Sequence, residues 1–446
     1  MKISPARTGA FDILARIEGE NAFSSILLPQ VTAMLSDADR GLCYELVLGS
    51  LRRQIFLDAV ISHFAGEKKL DPEVRIALRL GLFQVIFLGR IPAHAAINES
   101  VNLVLRSRKS SARGFVNAIL RKASAEIPDL KFEDPILKVS VTTSHPEWLV
   151  SKWVADFGFE VAAAICNANN EQVSPAFRLT ARYFAEFGRS RPDTEKICND
   201  LGLNIDSIRE SGLVAGCYFA DEGRKQLRLA ADRGYVYFQD AGSQLVANSV
   251  QLRSGGSLLD LCAAPGGKVT SIAAAGGTSN STFVAADVSK SRVSNLKATC
   301  TRQGLETVNV LQLDATQELP FSDGCFDTVL VDAPCTGTGT IRHNPEIRYR
   351  VNSEDIQAKQ EKQRRILENA SKAVKVGGLL IYATCSLERE ENEDVVSSFL
   401  TGNKRFALRK PNAPEQFIQE TGDLRTFPSE FEGDGFFMAT FTRSDE

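Results

Sequence analysis

The chain has 446 residues, of which 43% are apolar, 24% charged and 8% aromatic. A chain of that size and composition divides into roughly two to four domains with real cores, which excludes a disordered or collagen-like protein. The net charge of −3, from 52 basic and 55 acidic residues, taken as a whole argues against a nucleic-acid partner.

No apolar run reaches the roughly 20 residues of a membrane helix, the densest, 80–88, being interrupted by Gln84. The N-terminal run MKISPARTGAFDILARIEGE lacks the apolar stretch and small-residue cleavage site of a secretory signal. Nine cysteines, an odd number with no CxxC pair, argue against a disulfide framework or zinc ribbon and for a reducing cytoplasm. Cys43, Cys166, Cys198, Cys217 and Cys300 read as small core hydrophobes.

Residues 1–130 read as a helical bundle. Leu42, Leu46, Val47, Ser50 and Leu51 recur at helical spacing, as do Val74, Leu78, Leu82, Val85 and Ile86. Gly89 and Pro92 break the pattern; Val101, Val104 and Leu105 resume it, and 115–120 is another short apolar stretch. Charge is unevenly spread: residues 1–122 carry 17 basic and 11 acidic side chains, a net of +6, against −9 for the remainder. Arg106, Arg108, Lys109, Arg113, Arg121 and Lys122 form a block without an acid among them. Such a block is equally a solvated helix face or an electrostatic footprint for phosphate backbones.

A polar, Pro-containing stretch at 127–144 reads as a linker. Residues 145–235 mix a helical pattern (147–169) with strand-like pieces (177–181, 236–238), a small α/β module without legible chemistry. From Leu245 onward short apolar strands, at 258–261, 282–286, 308–313, 328–331 and 379–383, alternate with helices, and 436–441 comes last. Alternation of this kind predicts a doubly wound, Rossmann-like parallel sheet over 236–446. The fold class is therefore α/β, with an all-α bundle and a small α/β module before the sheet.

The run DLCAAPGGK at 260–268 leads from the first strand through a small-residue turn into a helix. A phosphate-binding P-loop would need Gly at Cys262 and Ser or Thr at Val269, and no GxGxxG is present. Asp260, Asp287, Asp314 and Asp332 each close a successive strand, and four such carboxylates are expected to converge on one crevice at the strands' carboxyl ends. Singly, each would be better read as a cap or turn residue. An acid ending the second strand suits a ribose diol, so the crevice suits a nucleoside without a pyrophosphate, such as S-adenosyl-L-methionine.

Two cysteines stand at loop entrances beyond strand ends: Cys335 in Asp332-Ala-Pro-Cys-Thr-Gly-Thr-Gly, and Cys385 in Thr384-Cys-Ser. Buried small residues are the ordinary alternative, less apt beside Gly and Pro. A thiolate here has a chemical purpose. Carbon 5 of a pyrimidine becomes nucleophilic enough to take a methyl group once a thiolate has added to carbon 6. Asp332 beside the ring would hydrogen-bond the base edge, and the base must be unstacked or flipped out.

The runs DLCAAPGGK, DAPCTGTGTIRHNPEIR and ATCSLEREENED resemble the RNA 5-methylcytosine methyltransferases of the RsmB (Sun/Fmu) family. The N-terminal run RLGLFQVIFLGRIPAHAAINESVNLV, with ARGFVNAILRK, resembles the NusB-like RNA-binding domain of those proteins, and QDAGSQ (239–244) and DGFF (434–437) resemble further landmarks. The resemblance implies transfer of a methyl group from S-adenosyl-L-methionine to carbon 5 of a cytosine in small-subunit (16S) ribosomal RNA through a covalent Cys–C6 adduct. It implies that Cys262, Ala263, Ala264, Pro265, Gly266, Gly267 and Lys268 wrap the methionine and ribose part of the cofactor. Asp287 would take the ribose hydroxyls, Asp314 the adenine edge, and Asp332 would stand between cofactor and base. Only the resemblance selects Cys385 as nucleophile and leaves Cys335 to assist product release. Thr336 departs from the Ser that commonly follows Pro-Cys in the family.

Arg342, Arg348 and Arg350 are candidate grips for RNA phosphates or ordinary salt-bridged arginines. Lys362, Arg364 and Arg365 read as solvated, and His63, His94, His145 and His343 are too dispersed for a metal site. The expectation is a cytoplasmic monomer without metal. Two rivals remain: a transfer-RNA cytosine-5 methyltransferase, and a NusB-like RNA-binding assembly factor with a non-catalytic methyltransferase fold. Intact thiols and acids weigh against the second.

Overall fold

The computed structural model describes residues 3–445 apart from 21, 67, 189 and 276–279. Its contacts divide it into two units: 1–171 with 341–350, and 172–340 with 351–446.

The first unit is helical. Its central helix, Pro72–Phe87, is buried on every side, through Val74, Ile76, Leu78, Leu80, Leu82 and Phe83. Helices Pro5–Glu20, Asp37–Arg52, Gln54–Ala65, Ala93–Arg106 and Arg113–Ala125 surround it with one continuous apolar core. Gly49 is what lets Asp37–Arg52 approach: a Cβ there would stand 1.9 Å from the Phe83 ring. Polar groups on the buried helix are matched. Gln84 accepts from Arg7 Nε at 2.6 Å and donates to the Leu80 carbonyl at 2.7 Å, while Arg79 donates to Asp58 at 2.7 Å.

The expected linker at 127–144 contains a helix, Pro135–Thr143, capped by Asp134 accepting from the Ile136 N–H at 2.8 Å. With Glu147–Phe157 and Phe159–Ala168 it extends the helical unit, so 147–168 pack with helices and not with the small sheet. His145 is a core histidine, bonded to Thr143 and Asn169 and held well below its ordinary pKa, first by burial and then by Arg348. The arginines after Cys335 are equally structural. Arg348 is fully buried and donates to the Thr143 carbonyl at 3.1 Å, the Asn169 carbonyl at 3.3 Å and Asn170 Oδ1 at 3.0 Å. Arg350 donates to the carbonyls of Ile17 and Ala22, and Arg342 is 2% exposed. The phosphate grip considered for these three is thereby corrected: oxygen sockets take the terminal nitrogens of Arg348 and Nη2 of Arg350, and burial removes Arg342 from solvent. The basic block is also partly offset by acids from other helices, Arg106 by Asp12 at 2.6 Å and Lys109 by Asp71 at 3.0 Å.

The second unit holds two sheets. The strands are β1 (Ala176–Leu179), β2 (Ile208–Glu210), β3 (Tyr218–Ala220), β4 (Val236–Phe238), β5 (Ser257–Asp260), β6 (Thr282–Asp287), β7 (Asn309–Gln312), β8 (Phe326–Asp332), β9 (Val374–Thr384), β10 (Phe406–Arg409), β11 (Leu424–Thr426) and β12 (Phe436–Arg443). The small antiparallel sheet runs β2-β3-β1-β4 around Phe177, Tyr183, Ile197, Tyr218 and Leu227. The large sheet runs β10-β12-β9-β8-β5-β6-β7, with β11 beside β12. β7, β6, β5, β8 and β9 are parallel, and β12 runs antiparallel to β9 and β10.

Successive residues of the central strands feed opposite cores. Leu258, Leu330, Ile381 and Ala383 pack on one face; Leu259, Val329, Val331, Leu380 and Tyr382 pack on the other. Burial on both faces is why these strands read as continuous apolar runs. Strand order reverses between β5 and β8, and such a switch point opens a crevice at the carboxyl edge.

Arg348→Ala is expected to destabilise the helical unit by about 3 kcal/mol, because several buried acceptors lose their donor. Denaturant unfolding measures that loss. The salt dependence of RNA binding should stay unchanged; a slope reduced by about one would restore the phosphate role.

Candidate active site

The crevice at the switch point is a cavity of about 460 Å³, within the range of small-molecule sites. Its floor is the turn after β5. Gly266 has φ +109°, a conformation suited to glycine, and a Cβ on Gly267 would meet the Tyr237 and Gln239 side chains at 3.3 Å. Cys262, Ala263, Ala264, Pro265, Gly267 and Lys268 line it, with Asp287, Asp314 and Asp332 at its rim and Cys335 and Cys385 at one end. Gly266 shapes the turn without facing the cavity.

Three of the four strand-end acids therefore meet the crevice and one does not. Asp260 is fully buried beneath the turn; its Oδ1 accepts from the Cys262 N–H at 3.4 Å, and its Oδ2 has no hydrogen-bond partner among the described residues. Burial, then repulsion from Asp332, pushes its pKa up to about 8, so it is a neutral acid at physiological pH. The expectation of four converging carboxylates is corrected to three above a buried fourth. Asp287 caps its own turn at Ser289 and pairs with Arg292 at 3.2 Å. Asp314 is exposed and held below the usual carboxylate range by hydrogen bonds from Thr316.

Lys268 closes the run expected to wrap the cofactor. It is 7% exposed, and its Nζ meets Asp332 Oδ2 at 2.7 Å with the Phe436 ring 5.1 Å away. Burial disfavours the ammonium, but the pairing with Asp332 outweighs burial and raises its pKa. The pair orients the Asp332 side chain at the cavity wall.

The two thiols are in contact, with Cys335 Sγ and Cys385 Sγ 3.2 Å apart. Cys335 follows β8 and Cys385 follows the adjacent β9, and their loops are bonded together. The Gly339 N–H donates to the Cys385 carbonyl at 2.9 Å, and the Leu387 N–H donates to Thr338 Oγ1 at 3.0 Å. A Cβ on Gly339 would lie 2.1 Å from the Gly435 carbonyl oxygen, which explains the glycines of both GTG and DGFF. Glu391, buried, accepts from the Thr336 N–H at 3.0 Å and from Thr336 Oγ1 at 2.7 Å. Threonine at 336 thus keeps the hydroxyl that this carboxylate needs. The contact with Cys385, then burial and the Glu391 charge, hold the Cys335 thiol well above the ordinary range. Cys335 is thereby held as a thiol in contact with the Cys385 sulfur.

Sequence reading passed over several lining residues. Gln239, Asp240 and Phe436 belong to landmarks whose roles are now visible: Asp240 Oδ1 accepts from the Gly242 N–H at 2.7 Å and from the Asp434 N–H at 3.0 Å. Lys362, expected to be merely solvated, lines the cavity near Asp314. Glu391 lay inside a quoted motif, but nothing in its acidic neighbourhood marked it as buried.

Residues 247–442 match the model of the 16S rRNA methyltransferase RsmB/F family, and residues 4–125 match the NusB family. The chain is 34% identical to the probable ribosomal RNA small subunit methyltransferase B of Bacillus subtilis (strain 168), over 99% of this chain and 100% of that one. The chain belongs to the RsmB/F methyltransferase family. Ribosomal RNA small subunit methyltransferase B of Pseudomonas putida is 31% identical over 98% of each chain. The crystal structure of PH0851 shares the fold with a TM-score of 0.79 and 24% identity, covering 99% of this chain and 100% of that one. Membership of a methyltransferase family assigns S-adenosyl-L-methionine as cofactor. The turn of small residues, the carboxyl rim and the apolar walls at Val288 and Ile366 fit a nucleoside carrying a small amino acid. No helix among the described residues is long and apolar enough to cross a membrane.

Asp260 generates a pH prediction. Its folded pKa lies above the unfolded value of 3.8, so its contribution to stability is full below that value and is lost as pH rises toward about 8. Asp260→Asn is therefore expected to gain thermal stability relative to the parent as pH rises from 5 to about 8. A difference in Tm that stays flat with pH would mean that Asp260 is ionised in the folded protein.

Proposed function

We propose that the chain methylates carbon 5 of a cytosine in small-subunit ribosomal RNA through a covalent adduct to Cys385. The observation that carries this reading is the pair of sulfurs 3.2 Å apart at the end of the cavity. S-adenosyl-L-methionine, when bound, supplies an electrophilic methyl group.

The chain's residues divide the remaining work. The Cys385 thiolate adds to carbon 6, forming the S–C6 bond and moving the C5–C6 π pair onto carbon 5, the atom methylated. Asp332, oriented by Lys268, accepts from the exocyclic amino group and holds the base edge. Once carbon 5 carries the methyl group, elimination follows: the carbon-5 proton passes to water, the C5–C6 double bond reforms, and the S–C6 bond breaks with its pair returning to Cys385, whose departing sulfur the Cys335 thiol stabilises by hydrogen bonding. A second thiol within contact distance suits that last exchange, and a non-catalytic scaffold would have no use for it. Cys262–Pro265, Gly267 and Lys268 would wrap the methionine and ribose on the turn that Gly266 shapes, Asp287 would bind the ribose hydroxyls and Asp314 the adenine edge.

The helical unit holds structured RNA in this account. A groove of about 650 Å³ on that unit is lined by His94, Asn98, Arg113, Asn117 and Arg121, donors suited to phosphates. The family relatives' ribosomal names favour ribosomal over transfer RNA as the substrate.

Cys385→Ala should lose about a thousandfold or more of methyl transfer while cofactor affinity survives. Cys335→Ala should accumulate a slow-migrating protein–RNA adduct on denaturing gels. Turnover by Cys385→Ala, or an adduct that forms without Cys385, would overturn the assignment of the nucleophile.

A further inference from the structure

We propose that Arg178 is a positioning residue for cofactor binding, and that the small β2-β3-β1-β4 sheet serves to brace the Gly266–Gly267 turn from behind. The inference rests on reading the cavity as the S-adenosyl-L-methionine site, and it assigns a role to a module whose sequence carries no legible chemistry.

Arg178 lies on β1 and is 4% exposed. Its guanidinium spans the boundary between the small sheet and the cofactor layer. Nε donates to Gln239 Oε1 at 2.8 Å; Nη2 donates to the Gly267 carbonyl at 3.1 Å, to Thr270 Oγ1 at 2.7 Å and to Gln303 Oε1 at 3.2 Å. Thr270 Oγ1 passes the constraint on, donating to the Gly266 carbonyl at 2.6 Å. The guanidinium carbon also stands 5.1 Å from the Tyr237 ring centroid. Tyr237, Gln239 and Gly267 all line the cavity. One side chain thus fixes the turn, the first helical residues after it, and the aromatic and amide wall facing them.

Three features separate this from ordinary interdomain packing. Among the described residues Arg178 has no carboxylate partner, so a buried cation is held by neutral acceptors alone, an expensive choice if only adhesion were required. Its planar fork reaches acceptors on separate segments at once, which no apolar side chain or lysine does. The small sheet also bears directly on the helix Lys290–Arg302, where a Cβ on Gly234 would lie 1.9 Å from the Arg302 carbonyl oxygen and the Arg182 N–H donates to the Gln303 carbonyl at 2.9 Å. That helix carries Arg292, which pairs with Asp287 and donates to the Ala264 carbonyl at 2.9 Å. The brace therefore reaches the cofactor turn from two sides.

The test uses the full chain and S-adenosyl-L-homocysteine as probe in calorimetry, with steady-state kinetics alongside. Arg178→Met should weaken binding of the probe roughly tenfold or more and raise KM for S-adenosyl-L-methionine by a similar factor, while KM for RNA stays unchanged. Arg178→Lys should fail almost as badly, since a point charge cannot replace the fork. If Arg178→Met does not fold, Thr270→Val removes one acceptor at nearly constant volume and should weaken the probe about threefold. Probe affinity within about twofold of the parent in a folded variant, or a rise confined to KM for RNA, would overturn the inference. A parent chain that fails to bind the probe would instead defeat the reading of the cavity itself.

Discussion

Asp332 of β8 is paired with Ala383 of β9, and the chemistry of the site follows from that single rung. In a parallel pair both strands leave the sheet at the same edge, so residues a few positions beyond a common rung emerge together. Cys335 and Cys385 are such residues, and the loops that carry them are then bonded to each other through Gly339, Thr338 and Thr336. Slipping the register by one residue would turn every side chain of β9 to the wrong face. Burial of Leu380 and Tyr382 on one side and of Ile381 and Ala383 on the other forbids that slip. The sulfur–sulfur contact is thus set by hydrophobic alternation several residues away.

Charge at the crevice is arranged in depth. The buried acid, Asp260, lies under the turn with its pKa pushed up to about 8; Asp287 is also buried and pairs with Arg292, Asp332 is partly exposed and held by Lys268, and Asp314 is exposed and accepts from Thr316. Each carboxyl group thus has a different local setting around a cavity of about 460 Å³. The −9 of the chain beyond residue 122 and the +6 before it are two separate specialisations averaged in the whole-chain figure of −3.

The strands and the two thiols were legible because they depend on local pattern: apolar runs buried on both faces, and cysteines beside Gly and Pro just past strand ends. What was missed depends on the chain's return to itself. Pro135–Thr143 is short, starts with Pro and buries little beyond Ser140, Val141 and Thr143, so its composition resembles a linker. Arg348 and Arg178 look like any surface arginine until the carbonyl and amide sockets that receive them are assembled from distant segments. Asp260 has the same strand-end position as the other acids, and what distinguishes it is its place beneath the turn, outside the cavity lining. β10 and β11 are short, and their pairing with β12 lies outside any periodicity of their own.

The account stands most directly on which sulfur bonds to the base. Ribosomal RNA carrying 5-fluorocytidine blocks the final elimination, because fluorine replaces the proton that must leave carbon 5. Incubation with enzyme and S-adenosyl-L-methionine, followed by digestion and mass spectrometry, then reads the attachment site. The account predicts a nucleotide adduct on the peptide containing Cys385; an adduct on Cys335, or none, would contradict it.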